Sequence, residues 1–350
     1  MHAQSTRVHF ASDNNAGAHP RMLAAIAEAN AGHVAGYGGD EYTARAVEAF
    51  RELLGPQAQA FFVFNGSGAN IVALAAALRP HQAVICPSHA HVAVDECGGF
   101  ERFAGAKLID VPVRDGKLTP ADVEAQLRGI GDPHHVQPGA VTVSQTTEVG
   151  TVYSITELRA LADVAHRNGL LFHVDGARIA NAAVALDVDL RTLLVETNVD
   201  VCSFGGTKNG LLFGEAVVFP RPHPALEVMP YARKQAMQLA SKMRFVAAQF
   251  DALLREGLWR ENAAHANRMA KLLAERVGAI EGVRIAYPVE ANGVFAALPP
   301  AAIAPLQRER RFYVWDADAS VVRWMTAFDT TEDDVHDFAD AVARVVREVR

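Results

Sequence analysis

Two side chains stand out for the chemistry they could share. Lys208 lies in Ser203-Phe-Gly-Gly-Thr-Lys-Asn-Gly, after the apolar run Val199-Asp-Val-Cys, and Asp175 lies in Phe172-His-Val-Asp-Gly-Ala-Arg178. A lysine amine forms a Schiff base with an aldehyde, and a carboxylate at the end of a buried strand keeps a pyridine nitrogen protonated, so that the ring acts as an electron sink. The pair points to pyridoxal phosphate. They are 33 residues apart, enough for a strand, a helix and a second strand, so neighbouring strand ends would present both. Gly205, Gly206 and Gly210 would leave room for a planar cofactor beside the backbone. The plainer alternatives are a solvated loop lysine and an aspartate that caps the next helix. Arg178 would either pair with Asp175 or turn its planar fork to a substrate carboxylate.

Other groups fall at strand-to-helix junctions. Asn65-Gly-Ser-Gly-Ala-Asn70 follows the strand Phe61 to Phe64 and opens a helix over 71–78, which aims free N–H groups at an anion such as phosphate. The spacing departs from Gly-x-Gly-x-x-Gly, which weakens a dinucleotide reading, and a plain tight turn is the alternative. Ser88-His89-Ala-His91 follows the strand Ala83 to Cys86, at the end where ligands collect in open α/β sheets. Two histidines at spacing two suggest a metal, but no further Cys, His or Asp ligand follows nearby, so no metal site is expected. Cys86, Cys97 and Cys202 lack paired-ligand spacing and are expected to be buried spectators.

The elements that must position these groups alternate regularly. Apolar runs at 61–64, 83–86, 108–113, 141–143, 170–174, 199–204 and 216–219 are separated by helical patterns, which predicts an α/β fold with a mostly parallel sheet covered on both faces. Thr119-Pro120-Ala-Asp122 and Ser154-Ile-Thr-Glu157 mark helix starts. A long helical pattern from Met229 through Met243 runs on towards Ala274 and leads to strands at 283–287, 294–298 and 321–328. A last helix follows, with Val335, Phe338, Val342, Val345 and Val349 on one face. The expected division is a large cofactor-binding domain over 1–245 and a small α+β domain over 246–350. The chain has 350 residues, half of them hydrophobic, and a formal net charge of −7, which argues against a nucleic-acid surface built on positive potential. The opening Met-His-Ala-Gln-Ser-Thr-Arg lacks the apolar core of a leader, and no apolar run suits a membrane helix. A cytoplasmic protein is expected.

Taken in order, Phe10-Ala-Ser-Asp-Asn, Gly36-Tyr-Gly-Gly-Asp-Glu-Tyr-Thr, Phe64-Asn-Gly-Ser-Gly-Ala-Asn, Ala90-His91, His173-Val-Asp-Gly-Ala-Arg and Gly206-Thr-Lys208 make the chain resemble the low-specificity L-threonine aldolases, fold-type I pyridoxal phosphate enzymes. The resemblance runs from about residue 8 to the C-terminal helix. It implies that Lys208 is the Schiff-base lysine, Asp175 the partner of the pyridine nitrogen and His91 the residue stacked on the ring. Gly66 and Ser67 would take the phosphate with Thr207 beside the lysine, while Lys234 and Arg244 would reach that phosphate from a neighbouring subunit of a dimer or tetramer. Ser12, Arg178 and Arg323 would hold the substrate carboxylate; their plainer roles are a turn cap, an intradomain ion pair and a solvated strand arginine. The chain departs from the family where Thr146-Thr-Glu148-Val-Gly150 replaces a histidine motif, which makes Glu148 a candidate base. The activity implied is cleavage of β-hydroxy-α-amino acids to glycine and an aldehyde. Rival readings are a β-eliminating lyase on the same fold, a non-catalytic binding protein on that scaffold, and an α/β enzyme without pyridoxal phosphate.

Overall fold

Residues 8–350 are described by a computed structural model; the opening heptapeptide, read above for a leader, lies outside them. Seven strands form the larger sheet: β1 (Gln59–Val63), β2 (Gln82–Pro87), β3 (Lys107–Val111), β4 (Gln137–Ser144), β5 (Leu171–Gly176), β6 (Val201–Gly205) and β7 (Glu215–Phe219). Their spatial order is β1-β7-β6-β5-β4-β2-β3. β7 runs antiparallel to β1 and β6, and the other strands share one direction. Each pleat sends successive residues to opposite faces. Leu171 joins the core built on the helix Gly66–Ala77, whereas Phe172 and Val174 join the core on the other face. Both faces are covered, as the continuous apolar runs require.

Local chemistry sets the ends of these elements. β3 stops at Val111 rather than Val113, because Pro112 has no N–H to give the ladder. The helices Pro120–Ala125 and Ile155–Arg167 begin at capping boxes on Thr119 and Ser154, each cap worth about 1 kcal/mol. The long helical pattern after Met229 is three helices, Met229–Gln235, Arg244–Arg255 and Leu258–Gly278. Met237 (φ 59°) and Gly257 (φ 71°) interrupt it in the left-handed region, where a helix cannot continue.

The smaller sheet is antiparallel, in the order β10 (Tyr313–Asp316), β11 (Val321–Met325), β9 (Gly293–Ala297), β8 (Arg284–Ile285). β10 was not foreseen; it is a short edge strand with three of its four residues exposed. The closing helix Glu332–Glu348 buries Val335, Phe338, Val342 and Val345, as its periodicity requires. Phe10 stacks on Phe338 with ring centroids 4.5 Å apart, and its backbone bonds to Arg311 and Met325. The stretch before Ser12 is thereby stapled to the small lobe and delivers Ser12 and Asp13 to the edge of the large sheet. The cores change hands inside the helix Leu258–Gly278, where Trp259 and Ala263 belong to the large lobe and Met269 to the small one; the helix Arg244–Arg255 packs wholly with the large lobe.

Candidate active site

The carboxyl ends of β1, β2, β4, β5 and β6 open onto a cleft lined by Gly66, His91, Glu148, Asp175, Arg178 and Lys208. Each of these residues follows or ends a strand of the larger sheet, and the parallel topology brings them to one edge.

Lys208 sits in the short turn Thr207–Asn209 after β6. Burial lowers the pKa of its amine, and nearby Arg178 adds to the effect; a larger neutral fraction makes a lysine a better nucleophile. The glycines around it have a reason in the protein's own backbone. A Cβ on Gly205 would collide with the Ala177 carbonyl oxygen, and one on Gly206 would meet the Gly214 carbonyl oxygen at 2.6 Å. Gly210 has φ 105° and faces Asn262. Close backbone packing at Gly205 and Gly206 and a positive φ at Gly210 demand these three glycines. Glu215, which the sequence reasoning missed, pairs across the ladder with Gly205 and accepts the Gly206 N–H at 2.5 Å. Burial pushes its carboxyl up to about 7. The Thr207 hydroxyl accepts the Gly214 N–H and hydrogen-bonds Glu215, which braces the turn that carries Lys208.

Asp175 has the parity of Leu171 and therefore faces the helix Gly66–Ala77. It does not cap a helix: the next one starts at Ile179. Its Oδ1 accepts the Ala177 N–H at 3.0 Å, and its Oδ2 accepts Asn70 Nδ2 at 2.8 Å. The same Asn70 nitrogen donates to Glu96 Oε1 at 2.9 Å, and that oxygen lies 2.8 Å from His91 Nδ1. The Glu96 hydrogen bond raises the His91 pKa against the effect of burial. Asn70 and Glu96 were both missed; a single asparagine inside the apolar run Ala69–Leu74 was the available signal. His91, Glu96 and Asp175 place ligand-capable atoms within 4.8 Å of one another, so the sequence argument that no further ligand lay near His91 overlooked Glu96, five residues on. N–H donors already join the three.

Glu148 is half-buried on the loop after β4. Its Oε1 accepts the Ser144 hydroxyl at 2.5 Å and the His91 backbone N–H at 2.9 Å, while Oε2 is buried without a hydrogen-bond partner. Burial pushes this carboxyl up to about 7 in spite of the Ser144 hydrogen bond. A carboxyl that titrates near neutrality can both take and return a proton.

Arg178 pairs with Asp13 and not with Asp175. Its Nε and Nη2 reach the two Asp13 oxygens at 2.6 and 2.9 Å, and Asn292 Nδ2 donates to the same carboxylate. Burial alone would raise Asp13; Arg178 and Lys208 pull it down to about 2. Ser12 caps the turn Asp13–Asn15 through the Asn14 N–H. Arg323, on β11, lies over the rings of Tyr313 and Trp315 and donates to the Ala11 carbonyl. It has no acidic partner among the described residues, its Nε is buried unpaired, and burial followed by Arg178 lowers its pKa. Such a guanidinium is suited to an incoming carboxylate.

The turn at Gly66 and Ser67 begins the helix Gly66–Ala77, and Asn65 caps it through the Gly68 N–H. The N–H groups of Gly66 and Ser67 have no intrahelical partner, and a Cβ on Gly66 would meet open space. Lys234 and Arg244 do not line this cleft. Lys234 lies exposed over the Tyr37 ring at 5.0 Å, and Arg244 donates to Ala31 and Gly32 carbonyls. Cys97, expected to be buried, is exposed at a left-handed turn.

A mixed α/β fold with a half-buried lysine and an aspartate lining one cleft at the strand ends is the arrangement of the fold-type I class. A family model described as beta-eliminating lyase matches residues 9–299, and the chain belongs to that family. It is 45% identical over 339 residues to the "Low specificity L-threonine aldolase" of Pseudomonas aeruginosa, covering 96% of this chain and 97% of that one. The protein of the same name from Pseudomonas sp. is 42% identical over the same coverage. Among solved structures, a Leishmania major threonine aldolase superimposes with a TM-score of 0.91 at 34% identity, covering 96% of this chain and 99% of that one.

Proposed function

We propose that the protein is a pyridoxal 5'-phosphate-dependent aldolase that cleaves L-threonine, L-allo-threonine and other β-hydroxy-α-amino acids to glycine and an aldehyde. The observation that carries this reading is the cleft itself, in which an amine of lowered pKa and a hydrogen-bonded aspartate share one cavity beside a helix start with free N–H groups. The residues fit the cofactor. Lys208 would hold the aldehyde carbon, Asp175 the pyridine nitrogen, His91 the ring face, and the Gly66 and Ser67 N–H groups the phosphate. When bound, pyridoxal phosphate supplies a sink for the electron pair left on Cα.

The chain's own groups do the rest. Arg323, with the part of Arg178 not committed to Asp13, would hold the amino-acid carboxylate and so fix the orientation of the bonds at Cα. Glu148, with one oxygen unpartnered, takes the β-hydroxyl proton, or His91 does so through water. Among the described residues no helix is long and apolar enough to cross a membrane, which suits a cytoplasmic enzyme.

Lys234 and Arg244 would complete the phosphate site of a second copy in a dimer or tetramer. In support, Tyr37, Phe64, Leu212, Phe213, Tyr231 and Met237 are exposed, with Phe64 stacked on Phe213 beside the Gly66 turn and Lys234 set over Tyr37. A clustered apolar surface of this kind marks an interface.

The family description favours one second reading, β-elimination at the same lysine. A panel of L-threonine, L-allo-threonine and their D-forms separates the two: glycine plus aldehyde supports the aldolase, whereas pyruvate plus ammonia supports elimination. Lys208→Ala should lose both turnover and the yellow colour of the purified protein. A colourless wild-type protein, or a variant that keeps its turnover, would defeat the proposal.

A further inference from the structure

Glu96 is the least expected charge in the molecule. Its side chain is fully buried, it lies between two short helices, His91–Val94 and Gly99–Ala104, and among the described residues no cation is paired with it other than His91. Removing a carboxylate from water costs several kcal/mol, and the surrounding apolar core gains nothing from it. Its oxygen Oε1 receives two donors, His91 Nδ1 and Asn70 Nδ2, and the same Asn70 nitrogen donates onward to Asp175. The Asn70 amide therefore bridges the carboxylate that serves His91 and the carboxylate at the end of β5. Its own Oδ1 is left buried without a partner, so the asparagine is oriented by its two donor bonds alone.

We propose that Glu96 and Asn70 are positioning residues: Glu96 fixes His91 in the tautomer with the proton on Nδ1, leaving Nε2 as the exchangeable nitrogen, and Asn70 ties that arrangement to Asp175. An ionised carboxylate can only accept, so the nitrogen facing Glu96 must be the donor. A histidine whose one nitrogen is held in this way has its ring plane and its free lone pair set together. Asn70 has a second effect. By donating to the oxygen that receives the His91 proton, it withdraws charge from that oxygen and weakens its hold on the imidazole. The charged groups that face His91 are Glu96, Asp175 on β5, Lys208 beyond β6, and Glu148, which accepts the His91 backbone N–H.

This inference rests on the proposed function only in giving His91 work at the cofactor ring, and its test can be read without turnover. In protein labelled with 15N-histidine, with the His91 signals identified by their loss in His91→Asn, the neutral wild-type ring should show a protonated Nδ1 and a bare Nε2. Glu96→Gln keeps the shape and an acceptor oxygen but loses the charge, so the His91 titration should move to lower pH. Turnover should fall by roughly 10²-fold, and the limb of the pH–rate profile that follows His91 should move with it. Asn70→Ala should move the His91 titration the opposite way, to higher pH, because Glu96 then keeps its full charge for the imidazole. A purely structural clamp would shift both variants alike or neither.

A wild-type ring protonated at Nε2, or a His91 titration unmoved in Glu96→Gln, would overturn the proposal. If Glu96→Gln does not fold, the wild-type tautomer and Asn70→Ala decide it. Should the protein bind no cofactor and release no glycine, the functional reading fails, yet opposite shifts of His91 in the two variants would still uphold the positioning pair.

Discussion

Replacing Glu148 by glutamine should make the protein more stable while making it a poorer catalyst, and the two effects share one cause. Burial holds the Glu148 carboxyl at about 7 instead of 4.5. Between those pH values the folded state binds a proton that the unfolded state has released, so the folded state loses ground as pH rises through the window. At about 1.4 kcal/mol per pH unit, the full displacement amounts to about 3 kcal/mol, complete above pH 7 and absent below about 4.5. In Glu148→Gln the new amide cannot ionise, and its oxygen can still accept from the Ser144 hydroxyl and the His91 N–H, the two donors that face Glu148 Oε1. Denaturant unfolding of both proteins at intervals from pH 4.5 to 8 should therefore show the variant gaining on the wild type with pH, by up to about 3 kcal/mol. Glycine release by the same variant should fall by about 10²-fold or more, with loss of an inflection near pH 7. A stability difference that stays constant with pH would mean that Glu148 is ionised throughout, and the argument for it as a base would collapse.

Other substitutions probe the remaining charges. Asp175→Asn should retain some bound cofactor, judged by visible absorbance, but lose most turnover; unchanged turnover would remove Asp175 from the pyridine nitrogen. Arg323→Ala should raise KM for the amino acid far more than it lowers kcat, and an unchanged KM would make Arg323 a scaffold residue. Asp13 is held at about 2 against an ordinary 3.8, so it contributes about 2 kcal/mol above pH 4 that is lost as pH falls towards 2. Asp13→Asn leaves Arg178 buried and unpaired, a loss of about 3–5 kcal/mol at neutral pH. The gap from wild type in acid unfolding should narrow by about 2 kcal/mol between pH 4 and pH 2, and a gap that does not narrow would deny the ion pair its role in stability.

The parallel sheet was legible because its strands are buried on both faces and appear as unbroken apolar runs, with helix starts signed by Thr119 and Ser154. Lys208, Asp175, His91 and Glu148 were legible because each stands at or just past the end of such a run, and topology carries strand ends to one edge. What stayed hidden is what only tertiary contact creates. Glu96, Asp13 and Glu215 carry no local sign of their partners, and Asn70 is marked only by its place in an apolar run, yet each is buried and hydrogen-bonded beside the cleft. The glycines before Lys208 make the same point in reverse. They were noticed as room for a planar cofactor, whereas the contact that only the fold creates is the backbone at Ala177 lying against Gly205. That contact joins the turn after Asp175 to the strand end before Lys208, and it fixes the spacing of the carboxylate and the amine more firmly than either side chain could. A side chain at position 205 would push the two strand ends apart, so Gly205→Ala should reduce cofactor affinity, measured by titration of the apoprotein with pyridoxal phosphate, although position 205 touches no ligand; an unchanged affinity would show that the strand ends hold their spacing without that contact.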